Sequence, residues 1–225
     1  MNKAIKVAKF NFRYGCKQTF IITFIVVLLT IVNLIIEFLI GSQVQGSLSI
    51  GNLFTLINIL APIFIVLKYY KKLINIGAKK LDFFKGCIIN YVVLAVIVAI
   101  INILFYYAIE PMIWGNSLEI SYLPAFGWTK SGVFACFVYQ TGFYILLSVF
   151  IHTLVLYQNM WSGWVADVIL IAIISVFTPI APLRQALIVF FRATTLNPSF
   201  ILQFICDILL AGLLYASTLY HMSKK

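Results

Sequence analysis

The sequence is poor in charge. Among its 225 residues only 10% are Asp, Glu, Lys or Arg, just six of these are acidic, and histidine occurs twice; a soluble domain spends about a quarter of its residues on charge. Catalytic patterns are missing as well. There is no HExxH for zinc, no GxSxG nucleophile elbow, and no pair of acids at helical spacing inside an apolar run. The chain is therefore read as a non-enzyme, with no catalytic residue and no metal ligand set. It also lacks GxxxxGK[ST], the loop whose backbone amides cradle ATP phosphates, so any ATP it uses must be held by another subunit. Cys16, Cys87, Cys136 and Cys206 are scattered without a CxxC, which argues against a disulfide framework or metal site and for small packing residues. No stretch between apolar runs is long enough for a separate soluble domain, so residues 1–225 form one membrane domain.

What the chain has instead is apolar length. Hydrophobic residues make up 63%, and mean hydropathy is +1.07. A hydrocarbon core of about 30 Å needs about 20 apolar residues per helix. Runs of that kind predict an all-α, polytopic membrane protein with six spans near 18–40, 48–67, 86–109, 131–157, 160–179 and 200–220. The N-terminus does not read as a cleaved signal peptide, because a long basic segment precedes the first span and no small-residue cleavage site follows it.

The net charge of +10 sits at the ends of these runs, which favours a lipid surface over nucleic acid as partner. Lys3, Lys6, Lys9, Arg13 and Lys17, then Lys68, Lys71, Lys72, Lys79, Lys80 and Lys85, then Lys224 and Lys225 fall on one side of a six-span arrangement. The other side receives Lys130, Arg184 and Arg192. Basic residues accumulate in cytoplasmic loops, so both termini are placed on the cytoplasmic side of the membrane. Trp114, Tyr122, Phe126 and Trp128 suit an outer aromatic belt, and Trp161 and Trp164 an inner one.

Three segments are amphipathic without reading as spans. Residues 1–17 carry bases at steps of three or four, opposite Ile5, Ala8 and Phe12, which predicts an interfacial helix. In KYYKKLINIGAKKLDFFKG, residues 68–86, lysines alternate with a stripe of Tyr70, Leu73, Ile74, Gly77, Leu81 and Phe84, and a cytoplasmic helix is predicted over 69–85. Residues 180–199 hold a short apolar patch between Arg184 and Arg192, bracketed by prolines and too short to cross, and are read as lying along or dipping into the outer leaflet, as a re-entrant hairpin.

Polar residues inside apolar runs are costly and invite a role. Thr30, Asn33 and Glu37 form a stripe on the first span, and Asn52, Thr55 and Asn58 one on the second. Both are candidate pathway linings, with interhelical hydrogen bonding as the competing reading. His152 and Asp167 flank the turn between the fourth and fifth spans at similar depth and are read as a structural pair. Arg184 or Arg192 is placed to neutralise Glu37 or Asp207.

The layout resembles permease subunits of type-2 ABC exporters, and INIGAKKLDFFKG, residues 74–86, is similar to that family's run of a glycine, a small residue, two bases and an aromatic pair entering the third span. The resemblance implies that 69–85 is a coupling helix for a separate ABC ATPase, with Leu73, Ile74, Gly77, Lys79, Lys80, Leu81, Phe83 and Phe84 in the contact. It implies a second permease chain, identical or homologous, ATP and Mg bound only by the partner, and 180–199 with Arg184 and Arg192 as an outer gate. The small size is similar to that of exporters of toxin or bacteriocin peptides. An ATP-independent ion- or proton-coupled carrier or channel, and a non-transporting membrane immunity protein, are the competing readings.

Overall fold

A computed structural model describes residues 3–40, 49–114, 120–158 and 161–223. Lys224, Lys225 and part of the connection between the first two spans lie outside the described residues, as do the side chains of Glu37 and Trp114.

The N-terminal segment is α1, Lys3–Phe10, which passes through a π-helical turn, Asn11–Gly15, into α2, Cys16–Ile40. The second span is assembled from α3, Ile50–Leu53, and α4, Thr55–Phe64, then a π-helical turn, Ile65–Tyr69, and α5, Tyr70–Asn75. Pro62 lies within α4. Its ring denies the ladder one N–H and presses on the preceding turn, so a local shift to wider hydrogen bonding just beyond it has a cause in the sequence. The third span runs from α6, Lys80–Leu104, through a π-helical turn, Phe105–Ile109, to α7, Glu110–Trp114. After a short α8, Tyr122–Ala125, and a 3-10 turn, Trp128–Ser131, come α9, Val133–Tyr157, α10, Trp161–Ala172, α11, Ala181–Thr194, and α12, Phe200–Ser223.

Among the described residues five helices are long and apolar enough to cross a membrane: Lys3–Ile36, Ile50–Asn75, Lys80–Met112, Val133–Tyr157 and Phe200–Met222. The sixth predicted span is shorter. α10 and the π-helical Ile173–Phe177 that follows it stop before Pro179, where the ring disfavours helix in the residue it follows.

The core is built on α9, which packs against α4, α6 and α12. Its buried apolar residues include Tyr91, Leu94 and Val98 of α6, Tyr144 and Val149 of α9, and Ala211 and Tyr215 of α12. α2 leans on α4 and leaves most of its apolar side chains exposed, which suits a helix facing lipid.

Three predicted segments take a different form. The interfacial helix over 1–17 is not separate from the first span, since helix continues through residue 40. Its buried face is Ala4, Val7, Ala8 and Asn11, while Ile5 and Phe12 are exposed. Small size decides this: a Cβ added to Gly86 would come within 2.8 Å of Val7 Cγ1 and 3.0 Å of the Ala8 backbone nitrogen, so α1 and α6 touch backbone to backbone, as small residues allow between membrane helices. The separate helix over 69–85 is replaced by the ends of two spans joined at a tight turn. Gly77 has φ +89°, and its N–H donates to Ile74 O (2.9 Å) while the Ala78 N–H donates to Leu73 O (3.0 Å). This double closure is a Schellman stop, which requires a residue free to adopt left-handed backbone. The hairpin over 180–199 is instead a single helix, α11, with Pro182 in its first turn and an Asx turn after it, Ser199 N–H donating to Asn197 Oδ1. No turn-forming residue interrupts positions 183–193, so the helix has no reason to reverse there.

Replacing Gly86 with Leu is expected to cost about 1–3 kcal/mol through overpacking. Gly212→Leu should leave stability unchanged, because nothing lies within 4 Å of the Cβ it adds; thermal unfolding of both variants in detergent checks this.

Candidate functional site

The buried polar side chains gather along one helix. In α9, Gln140, Tyr144, Ser148 and His152 recur at every fourth position and are all inaccessible to solvent. A step of four residues on a 3.6-residue helix keeps them on one slowly winding ridge. That ridge meets the polar stripe of the second span and the polar positions of α6. Asn102 Nδ2 donates to Gln140 Oε1 (2.9 Å) and to the Tyr144 hydroxyl (3.2 Å). Thr55 Oγ1 donates to the same hydroxyl (3.2 Å), which in turn donates to Gln140 Oε1 (3.3 Å). Farther along, Ser148 Oγ donates to Asn58 O (3.0 Å).

At the far end of the bundle from the hairpin, the ridge is topped by a carboxylate. Glu110 is buried, and its Oε1 accepts from Ser49 Oγ (2.6 Å) and from the Gly51 backbone N–H (3.2 Å). The carboxyl oxygen thus meets an amide that the helix start leaves unpaired, so Glu110 ties the third span to the beginning of the second. Asn52 extends the tie, its Nδ2 donating to Ile120 O (3.0 Å). At the hairpin end the ridge finishes in His152, whose Nδ1 lies 2.6 Å from the Tyr91 hydroxyl. Rings of Phe83, Phe84, Tyr91 and Tyr215 surround the imidazole with centroids 5.3–6.4 Å away, and the Tyr215 hydroxyl donates to Phe84 O (2.7 Å).

Several of these groups keep unused hydrogen-bonding capacity. Both amide atoms of Asn58, Asn90 Nδ2, Asn102 Oδ1, Glu110 Oε2 and His152 Nε2 have no hydrogen-bond partner among the described residues. Polar atoms left so in an apolar interior are expensive and ask for a function. Chemically the seam offers alternating donors and acceptors. No group of three or more His, Cys, Asp or Glu that could hold a metal occurs among the described residues.

The structure separates several residues that the sequence reading joined. His152 does not contact Asp167: the imidazole is turned into the aromatic box, and Asp167 Oδ2 accepts from Gln158 Nε2 (2.7 Å). The bundle at that depth is wide enough for α6 and α12 to fill the space beside α9, while α10 sits at the periphery. Neither Arg184 nor Arg192 neutralises Asp207, which is fully buried between α9 and α12 while both arginines are exposed on α11. The first-span stripe stays apart from the seam. Thr30 Oγ1 turns back to Val26 O (3.0 Å), Asn33 is exposed, and the Glu37 side chain lies outside the described residues.

In the predicted coupling set, Phe83 and Phe84 are 0% exposed and Leu73 is buried. Lys80 Nζ donates to Met222 O (2.8 Å), capping the last turn of α12. Exposed there are Gly77, Lys79, Leu81 and the neighbouring Ile76, with Ile74 half-buried. Trp128 is no belt residue: it is buried, and its Nε1 donates to Thr195 O (2.8 Å).

Sequence reasoning missed Gln140, Tyr144, Ser148, Asn102, Tyr91 and Glu110. The four-residue spacing in α9 was the available signal; Glu110 gave none, since it reads as a loop residue. Comparisons with family models, curated proteins and solved structures return no match.

Tyr91→Phe and His152→Ala are expected to be coupled in a double-mutant cycle on thermal stability by about 0.6–1.7 kcal/mol. His152→Ala and Asp167→Ala should add within about 0.5 kcal/mol.

Proposed function

We propose that the chain is the membrane-spanning permease subunit of an ATP-driven exporter, docking a separate ATPase at the Lys71–Lys85 hairpin and moving an amphipathic substrate of the peptide class. The observation that carries this reading is the hairpin tip. Ile76 is 70% exposed and Leu81 50%, and exposed Lys71, Lys72, Lys79 and Lys85 surround them. Basic residues alone suffice to orient a loop toward the cytoplasm; apolar side chains held out on a turn closed by Gly77 fit a protein groove. The contact set is accordingly Ile74, Ile76, Gly77, Lys79 and Leu81, with buried Leu73, Phe83 and Phe84 and half-buried Lys80 as the root that connects the tip to α9 and α12.

Further support comes from the non-spanning α11 ahead of the last span, which stands where such permeases place an outer gate. In this reading α10 with its π-helical extension crosses as the sixth span, both termini are cytoplasmic, and two permease chains pair in the plasma membrane. A second reading, a gradient-driven carrier that needs no ATPase, is favoured by the partnerless polar atoms of the seam.

Purification of the tagged chain from membranes should bring down a stoichiometric ATPase, and Ile76→Asp combined with Lys79→Glu should abolish both that association and substrate-stimulated ATP hydrolysis without preventing membrane insertion. Undiminished hydrolysis in the double variant contradicts the docking assignment. Flux through the purified chain alone, driven by a gradient, supports the carrier.

A further inference from the structure

Asp207 and Gln203 stand apart from the polar ridge of α9 and share one face of α12, a single turn apart. Both are 0% exposed. At 1.5 Å per residue, Asp207 lies about 10 Å along the helix from Phe200, well inside the apolar span. α9 can approach closely here because Gly142 has no side chain: a Cβ on it would come within 3.0 Å of Asp207 Oδ2 and of Phe204 Cδ2. Gln203 lies near the carboxyl, yet among the described residues neither carboxyl oxygen and neither amide atom of Gln203 is held in full hydrogen-bond geometry.

Among the described residues no cation pairs with this carboxyl. On α9 the flanking tyrosines are engaged elsewhere, Tyr139 with Asn197 O (2.8 Å) and Tyr144 with Thr55 and Asn102, and Thr141 Oγ1 turns back to Phe137 O (2.8 Å). On α6 and α12, Tyr91 and Tyr215 belong to the box around His152, with Cys206 the adjacent thiol. Arg184 and Arg192 of α11 are exposed. A carboxylate enclosed in apolar surroundings with no cation and no donor beyond the Gln203 amide is the form that desolvation disfavours most.

We propose that Asp207, assisted by Gln203, is an exchangeable proton site that holds the neutral acid while α9 and α12 are closed. Gln203 suits this role because its amide can accept from the acid's O–H through Oε1 and donate to the carboxylate through Nε2, serving both states. Release of the proton to water requires the seam at Gly142 to open, so occupancy of the site is linked to the packing of α9 on α12. The inference stands whether or not an ATPase docks at the hairpin.

Infrared spectroscopy of the chain in lipid nanodiscs at neutral pH tests it. The carbonyl stretch of a neutral carboxylic acid should be present in the parent protein, shift on transfer to D2O, lose one component in Asp207→Asn, and persist when NaCl or KCl is added. The thermal midpoint of Asp207→Asn, whose amide copies the neutral acid, should match the parent within about 2 °C. A parent-minus-variant spectrum without a neutral-acid band, a band that never exchanges with D2O, or a band removed by Na⁺ or K⁺ overturns the proposal; the last outcome assigns the site to an alkali cation. A marked loss of stability in Asp207→Asn also overturns it, by showing an ionised, paired carboxylate.

Discussion

The polar ridge of α9 is the constraint around which the bundle is arranged. An apolar helix loses nothing by facing lipid, but Gln140, Tyr144, Ser148 and His152 cannot be left there without unsatisfied donors and acceptors. They must be surrounded by helices that carry complementary groups. Thr55, Asn58, Asn102 and Tyr91 supply them, which places the second and third spans against α9. α12 closes the remaining side, where the Thr218 hydroxyl bonds that of Thr153 (3.1 Å). α2 and α10 lie at the edge with most of their apolar side chains exposed.

The same ridge connects the two ends of the molecule. Its last member, His152, is packed by Phe83 and Phe84, the first residues of α6 beyond the exposed hairpin. A displacement of the hairpin tip therefore cannot be confined to the tip: it reaches α9 through the imidazole and α12 through Tyr215 and the Lys80 bond to Met222. Under the permease reading this root is the lever through which a docked ATPase moves the spans, and the α9–α12 seam that holds Asp207 is one of the surfaces it would move.

Much of the fold was legible from hydropathy, because crossing a membrane imposes a length and an apolar composition that any helix must meet. Five spans and the basic ends could be read that way. The amphipathic segments were misjudged for one reason: periodicity says which residues share a face but not what the face meets. Ile5 and Phe12 look like the buried side of α1, yet Ala4, Val7 and Ala8 take that place because only small residues fit against Gly86. Phe83 and Phe84 look like docking residues and are core, since the turn at Gly77 ends before them. The second-span stripe of Asn52, Thr55 and Asn58 was visible in the sequence. Its partners were not, because Asn102 and Gln140 find each other only through tertiary packing. The expectation that His152 meets Asp167 failed in the same way, as equal depth on neighbouring helices says nothing of rotation about their axes.

The central claim, that the exposed hairpin tip and not its aromatic root contacts an ATPase, can be examined by placing a photo-crosslinking amino acid at Ile76 or at Phe83 and illuminating intact membranes. The account predicts an adduct with an ATPase subunit from position 76 and none from position 83. An adduct from 83 alone, or no protein adduct from 76 in membranes that support transport, would contradict it.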